Sequence, residues 1–384
     1  MRPEGTSRRR ARDGARAGAL AVLREHGPVS RAELAVRLDL PKSTLAALVD
    51  ELLADGSIVE APARPGGSGS GSGRPARSLR LAGIAGVVVG IDFGHRHVRV
   101  ALADGDCRIL GEASVELDVD RRATESLDAA GDLLAGLLDR VGVTRSEVRA
   151  AAAGIPGPVN PATGTVQSPT ILAGWVDLDL RAALRSRTGL DVAVDNDANH
   201  GALGEQARGA GHGYRDFIYV KASNGIGACL VLGGVVYRGS GGMAGEIGHT
   251  QLDPEGLWCR CGNRGCLEAL VSVDVVRRQL EPLGIDPLDA DDVTHPVARK
   301  VFAESGRTVG RVLANLCNAF NPQAVVLGGD LSLTGDAFVD GVRDSIERLA
   351  QPGAGAVATV PARLGRRAEL IGTLTAAIAE ARAA

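Results

Sequence analysis

Gly245-Glu246-Ile247-Gly248-His249, followed by Cys259-Arg260-Cys261-Gly262-Asn263-Arg264-Gly265-Cys266-Leu267-Glu268, is the stretch whose reading decides the fold. Three thiolates and one imidazole can close a tetrahedral shell around Zn²⁺, and the glycines of the loop allow the tight turns that bring three sulfurs to one point. The expected ligands are His249, Cys259, Cys261 and Cys266. Because all four positions are protein side chains, none remains for a reactive water, and the zinc is expected to be structural. The alternative is a loop of reduced cysteines. Six cysteines in 384 residues do not make a dense disulfide framework, and three of them crowd into residues 259–266, a metal-like pattern in a reducing compartment. Cys107, Cys229 and Cys317 sit in apolar stretches and read as buried thiols.

Upstream of this loop, from Gly86, buried strands alternate with helices. Val87 to Gly94 reads as a strand entering a glycine turn, with Val98 to Leu102 as its hairpin partner. Ala150 to Ala153 runs into Gly154-Ile155-Pro156-Gly157, Asp191 to Val194 ends at Asn196-Asp197-Ala198-Asn199, and Phe217 to Lys221 precedes Gly225-Ile226-Gly227. Carboxylate, amide and glycine groups thus gather at strand ends, where open α/β sheets build their clefts. Asp197 has a second reading as the cap of a helix starting near Ala198.

The N-terminus is built differently. Residues 14–26 carry Ala17, Leu20, Ala21 and Leu23 at helical spacing, ended by Gly27-Pro28. Ser30-Arg31-Ala32-Glu33 has the capping-box form and opens a second helix with Leu34, Ala35 and Leu38 inward. After Asp39-Leu40, Pro41 suits the first position of a third helix, striped by Leu45, Leu48, Val49 and Leu52. This is the helix-turn-helix layout, whose last helix enters the major groove of double-stranded DNA. Lys42, Ser43 and Thr44 are the expected contacts, and Ala46 and Ala47 would allow close approach to thymine methyls. Ser57–Glu60 and Ser78–Leu81 read as the two strands of a wing. The Gly/Ser-rich segment between them is expected to be mobile over 61–77, with Arg74 suited to a minor groove. A three-helix docking cap and a plain flexible linker are the alternatives. Residues 1–80 hold 14 Lys+Arg against 9 Asp+Glu, so a chain of net charge −3 has a +5 end and a −8 remainder. Such asymmetry points to a polyanion, although a solvated basic tail explains part of it.

On the metal loop, the strand-end motifs and Val326-Leu327-Gly328-Gly329-Asp330, residues 86–384 resemble the ROK family (repressors, open reading frames, kinases). With the N-terminal module, the chain resembles that family's sugar-responsive repressors, such as those for xylose or N-acetylglucosamine. The resemblance implies an α/β fold: a winged helix on 1–82, then a two-lobed actin-like body with a first lobe at 86–200, a second at 201–365 and a C-terminal helix at 366–384 returning to the first. It implies a sugar site made of Asn196, Asp197, Glu246, His249, Glu268 and Gly157, with Gly174-Trp175 nearby. It also implies a homodimer or homotetramer.

Kinases of the family begin with Asp-x-Gly-Gly-Thr, whereas this chain has Asp92-Phe93-Gly94-His95-Arg96. Their second phosphate loop, Thr-x-Gly-Thr-Gly-x-Gly, corresponds to Lys221-Ala222-Ser223-Asn224-Gly225-Ile226-Gly227. Both departures point to a regulator of carbohydrate genes that senses a sugar and is not an enzyme. The alternatives are an ATP-dependent sugar kinase fused to a DNA-binding domain, with Asp197 as catalytic base, and a metal-stabilised scaffold. Arg96 and Lys221 leave a sugar phosphate open as effector. The longest apolar run, Leu81 to Ile91, is about half of what a membrane span needs, so a cytoplasmic protein is expected.

Overall fold

The computed structural model describes residues 14–16, 18–23, 28–62, 77–160, 162–167, 170–176 and 178–383. The chain divides into two compact units, Met1–Gly83 and Ile84–Ala384. Among the described residues, no helix is long and apolar enough to cross a membrane.

In the first unit, helix α1 covers 14–16 and 18–23. Strand β1 (Val29–Ser30) leads into α2 (Arg31–Leu38), and α3 (Lys42–Ala54) precedes β2 (Ile58–Pro62) and β3 (Arg77–Leu81). The capping box forms: Glu33 N donates to Ser30 Oγ at 3.2 Å and Ser30 N donates to Glu33 Oε2 at 2.8 Å. Helix α2 stops at Asp39, which takes φ 50° and donates its N–H back to the last carbonyls. Pro41 is the cap residue of α3 instead of its first helical residue. Leu34, Leu45, Leu48, Val49 and Leu52 close a core with Ala19, Leu23, Val29, Ile58 and Leu79, and the strands pair antiparallel in the order β1-β3-β2. Arg74 and most of the wing lie outside the described residues.

The second unit contains two five-stranded sheets on one plan. The first lobe's sheet comprises β4 (Val87–Gly94), β5 (His97–Asp104), β6 (Ile109–Glu116), β7 (Val148–Ile155) and β10 (Val192–Asn196), with a small hairpin β8 (Val159–Asn160) and β9 (Thr165–Val166) beside it. Its order is β10-β7-β4-β5-β6. The second lobe's sheet comprises β11 (Phe217–Ala222), β12 (Ile226–Leu232), β13 (Val235–Tyr237), β14 (Ala324–Gly328) and β15 (Ala358–Pro361), in the order β13-β12-β11-β14-β15. In both, three antiparallel strands are followed by two parallel ones. Strand β4 is buried along its whole length because helices cover both of its faces.

Helices α4 (Ala123–Val141) and α5 (Leu180–Thr188) cover the first sheet, while α7 (Leu267–Val271), α8 (Val273–Leu280), α9 (Pro296–Phe320) and α10 (Asp336–Leu349) cover the second. Two further helices, α6 (Asp197–Arg208) and α11 (Ala368–Ala383), pack against each other and against strands of both sheets. Their close approach needs glycine, since a Cβ at Gly372 would sit 1.7 Å from the His200 carbonyl oxygen. Leu370, Leu374 and Ile378 of α11 bury against Val88 and Ala152 of the first sheet. Cys229 and Cys317 are buried, but Cys107 is only half-buried, because it occupies a tight turn at φ 61°. Trp175 also departs from the expected sugar segment. It is fully buried in the first lobe's core, edge-on to Phe93, with its indole N–H donated to the Val119 carbonyl.

Candidate functional site

Residues 245–249 run against β12, with Ala228 N donating to Gly245 O, and lead into the loop that ends at Cys266. A bridge between Gln251 and Cys266 joins the ends of this loop, and another between Trp258 and Arg264 closes its tip. Gly265 takes φ 60° with its Cα against the backbone of Asp253, where no side chain fits. The result brings one ligand atom each from His249, Cys259, Cys261 and Cys266 within 4.8 Å of one another. Cys259 Sγ lies 3.6 Å from His249 Nδ1, and Cys261 Sγ lies 3.6 Å from Cys266 Sγ. A tetrahedral ion with Zn–S near ~2.3 Å and Zn–N near ~2.0 Å requires edges of roughly 3.5–3.8 Å, which these two separations match. Burial and the neighbouring thiols push the Cys266 thiol up to about 12, so these sulfurs ionise readily only if a cation shares them.

The cleft lies between the two sheets. Its walls bring together Gly157, Asn196, Asp197, Glu246, His249 and Glu268, the six residues expected at a sugar site, and add His95, Lys221 and Gly225. Asn196 is the N-cap of α6. Its Oδ1 accepts from Ala198 N at 2.8 Å and Asn199 N at 3.3 Å, and its Nδ2 donates to Gly157 O at 2.9 Å. The cap is therefore Asn196 and not Asp197, and one amide hydrogen of Asn196 remains for a ligand. Asp197 Oδ1 accepts from Ala198 N at 2.7 Å and Oδ2 from Lys221 Nζ at 2.7 Å.

Lys221 stands at the centre of a buried charge cluster. Besides Asp197, its Nζ lies 3.8 Å from Glu369 Oε1, which also accepts from the Tyr219 hydroxyl at 3.1 Å. Burial works against its charge, but the Asp197, Glu369 and Asp92 carboxylates outweigh burial and hold the ammonium above the usual lysine range. Burial raises Glu369 despite Lys221. Asp92 is depressed although fully buried, because His97 hydrogen-bonds it at 2.9 Å. Arg96 faces Asp274 at 3.2 Å. The two cations that left an anionic effector open are thus both engaged by carboxylates.

On the opposite wall, burial first, then the Asp197 and Glu268 charges, push Glu246 up to about 7. Its Oε2 lies 3.7 Å from His249 Nε2, so one imidazole has its Nδ1 at the metal site and its Nε2 at the cleft. Glu268 accepts from Ile226 N at 3.0 Å and from Arg260 Nε at 2.9 Å.

The ROK family profile matches residues 88–380, which covers both sheets, the cleft and the metal loop. The chain belongs to the ROK family. ROK relatives of two kinds share this body. A xylose repressor of Caldicellulosiruptor bescii is 29% identical over 348 residues, covering 86% of each chain. A glucokinase of Streptomyces coelicolor is 32% identical over 313 residues, covering 75% of this chain and 96% of its own. The crystal structure of a ROK transcriptional regulator, a homologue of the Escherichia coli Mlc protein, superposes with a TM-score of 0.72 at 24% identity, over 96% of this chain and 97% of that one.

The MarR family profile matches residues 13–67, outside the ROK body. There Lys42, Ser43, Thr44, Ala46 and Ala47 are all exposed on the N-terminal half of α3, on the side away from its buried stripe. From sequence, His95 of the cleft wall went unassigned, as did three groups that bond or face wall residues: Asp120 at His95, Arg260 at Glu268 and Glu369 at Lys221. Arg260 alone carried a signal, as a charged residue set between two ligand cysteines.

Proposed function

We propose that this ROK protein is a sugar-responsive, DNA-binding transcriptional repressor, that zinc at His249, Cys259, Cys261 and Cys266 holds its ligand wall, and that it does not phosphorylate its sugar. The non-enzymatic reading rests on the two departures from the kinases' phosphate loops, at His95-Arg96 and at Lys221 to Asn224, and is supported by the Lys221–Asp197 bond at 2.7 Å. With Lys221 bonded to Asp197 and close to Glu369, its ammonium is held by carboxylates instead of standing free for a transferred phosphoryl group. The remaining lone pairs of Asp197 can still accept sugar hydroxyls. The zinc fills a closed shell, so it supplies rigidity and no reactive water.

The regulatory reading is supported by the exposed face of α3 and by the xylose repressor, which matches over most of both chains. Lys42, Ser43, Thr44, Ala47 and Arg74 are assigned to operator DNA. Asn196, Asp197, Glu246, His249, Glu268 and Gly157 are assigned to the sugar, whose binding favours one arrangement of the lobes and so changes DNA affinity. A two-fold oligomer, dimer or tetramer, suits an operator with paired half-sites.

The test uses the full-length, zinc-loaded protein with DNA from its own promoter, measured by fluorescence anisotropy at low salt. Binding without sugar and release by D-xylose or D-glucose is the expected result. No attraction to the promoter in either condition, or hexose-dependent ADP release at about 1 s⁻¹ or faster, would overturn it.

A further inference from the structure

The turn joining β4 to β5 sends two side chains across to the second lobe. Arg96 pairs with Asp274 on α8, as described. His95 turns into the cleft, where its Nδ1 lies 2.7 Å from Asp120 Oδ1. Asp120 Oδ2 lies 3.3 Å from Arg260 Nη1, and Arg260 goes on to Glu268 through Nε and to the Asn224 carbonyl through Nη2 at 3.0 Å. The chain of contacts closes on itself over Gly225. A Cβ placed there would fall 2.8 Å from His95 Nε2 and 3.2 Å from Glu268 Oε2, so both atoms face the same small space.

The direction of these bonds fixes what that space accepts. A carboxylate can only accept, so Asp120 takes the Nδ1 proton, and the tautomer this selects presents Nε2 as an acceptor. The tautomer follows from the partners. Beside it stands Glu268, a further acceptor. The nearby cations, Arg260, Lys221 and Arg96, are each bonded to carboxylates. A wall of acceptors suits a ligand that donates. Sugar hydroxyls do so, whereas a phosphoryl group adds acceptors and negative charge against Glu268.

We propose that His95 is a ligand-contacting residue supplied by the first lobe, accepting a hydroxyl hydrogen from a free, unphosphorylated sugar, with Asp120 and Arg260 as its positioning residues. The proposal rests on the sugar-sensing reading above. It adds a further first-lobe bond to the ligand, beside those assigned to Gly157, Asn196 and Asp197.

Titration calorimetry on the full-length, zinc-loaded protein tests it, using whichever of D-xylose, D-glucose and D-mannose binds tightest and that sugar's terminal phosphate ester. His95→Gly should weaken the free sugar roughly tenfold, the scale of one hydrogen bond, with zinc content and unliganded melting temperature unchanged. Asp120→Asn is the sharper variant. Arg260 claims the amide oxygen, so the amide NH₂ faces His95 and moves its proton to Nε2, turning the acceptor into a donor. Affinity for the free sugar should fall, and affinity for the phosphate should rise relative to it. A merely structural role would lower both alike and would overturn the proposal. So would a wild-type preference for the phosphate, or both variants binding the free sugar as wild type does. A wild-type protein that binds none of these compounds would sink the sugar reading itself and this proposal with it.

Discussion

Replacing Lys221 by Met removes one charge from the most tightly buried ion cluster in the second unit. The ammonium is 2.7 Å from Asp197 Oδ2 and 3.8 Å from Glu369 Oε1, with a side chain 14% exposed. At an effective dielectric constant of ~20 these distances correspond to attractions of about 6 and about 4 kcal/mol, opposed by several kcal/mol for desolvating the ammonium. Removing one partner of a buried pair strands the others, so the expected loss is about 3–5 kcal/mol near pH 8. The sign of its pH dependence follows from Glu369, whose pKa burial raises above its unfolded value even with Lys221 present. A raised group contributes stability that is full below its unfolded pKa and is lost as pH climbs through the folded one. Without Lys221 the folded value moves higher, so the variant loses stability over a wider range. Its deficit should grow from pH 5 to pH 8. Urea unfolding followed by tryptophan fluorescence isolates this unit, because the two tryptophans, Trp175 and Trp258, both lie in it and Trp175 is fully buried. A deficit under about 1 kcal/mol at pH 8, or one that shrinks as pH rises, would refute the argument.

Two further outcomes test the metal loop and the DNA face. Cys261→Ser should lower bound zinc and melting temperature together, as read by metal analysis and calorimetry, and unchanged zinc content would show that the ligand set is wrong. Lys42→Ala should weaken operator binding about equally across sequences and reduce the slope of log K against log salt by about 1, while sugar affinity stays as it was.

The fold class was legible because the informative signals were local. The capping box at Ser30 and Glu33, the stripe from Leu45 to Leu52 and the unbroken apolar run of β4 each report on their own neighbourhood, and each forms where its spacing places it. The His/Cys cluster and the strand-end polar residues were visible as spacing. What spacing could not show was how the charges would be spent. Lys221 lies 24 residues from Asp197 and 148 from Glu369 in sequence, and Arg260 lies 140 from Asp120. Only the pairing of distant strands and helices makes them neighbours. Read alone, Lys221 and Arg96 looked like cations awaiting an anion. Gly174-Trp175 was set near the sugar by resemblance alone, and Trp175 packs into the first lobe's core, edge-on to Phe93.

The same accounting explains why the metal loop and the ligand cleft are one mechanical unit. His249 offers one ring nitrogen to the metal cluster and turns the other toward Glu246. Arg260 stands between two of the ligand sulfurs and bonds Glu268 and Asp120. Glu268 follows the last cysteine by two residues and opens α7. Both carboxylates on the second lobe's side of the cleft, Glu246 and Glu268, therefore lie beside a residue of the His/Cys cluster or are held by a side chain set within it. Loosening the loop releases His249, Arg260 and Glu268 together, and through Arg260 it also frees Asp120 and His95 on the first lobe. Sugar response should fail at lower chelator concentration than is needed to unfold the second unit, because recognition depends on the loop while the sheets' cores contain few of its residues. Titrating a chelator while recording both sugar binding and Trp175 emission separates the two. If both were lost at the same chelator concentration, the loop would be part of the unit's foundation, and its link to the cleft would explain nothing about sensing.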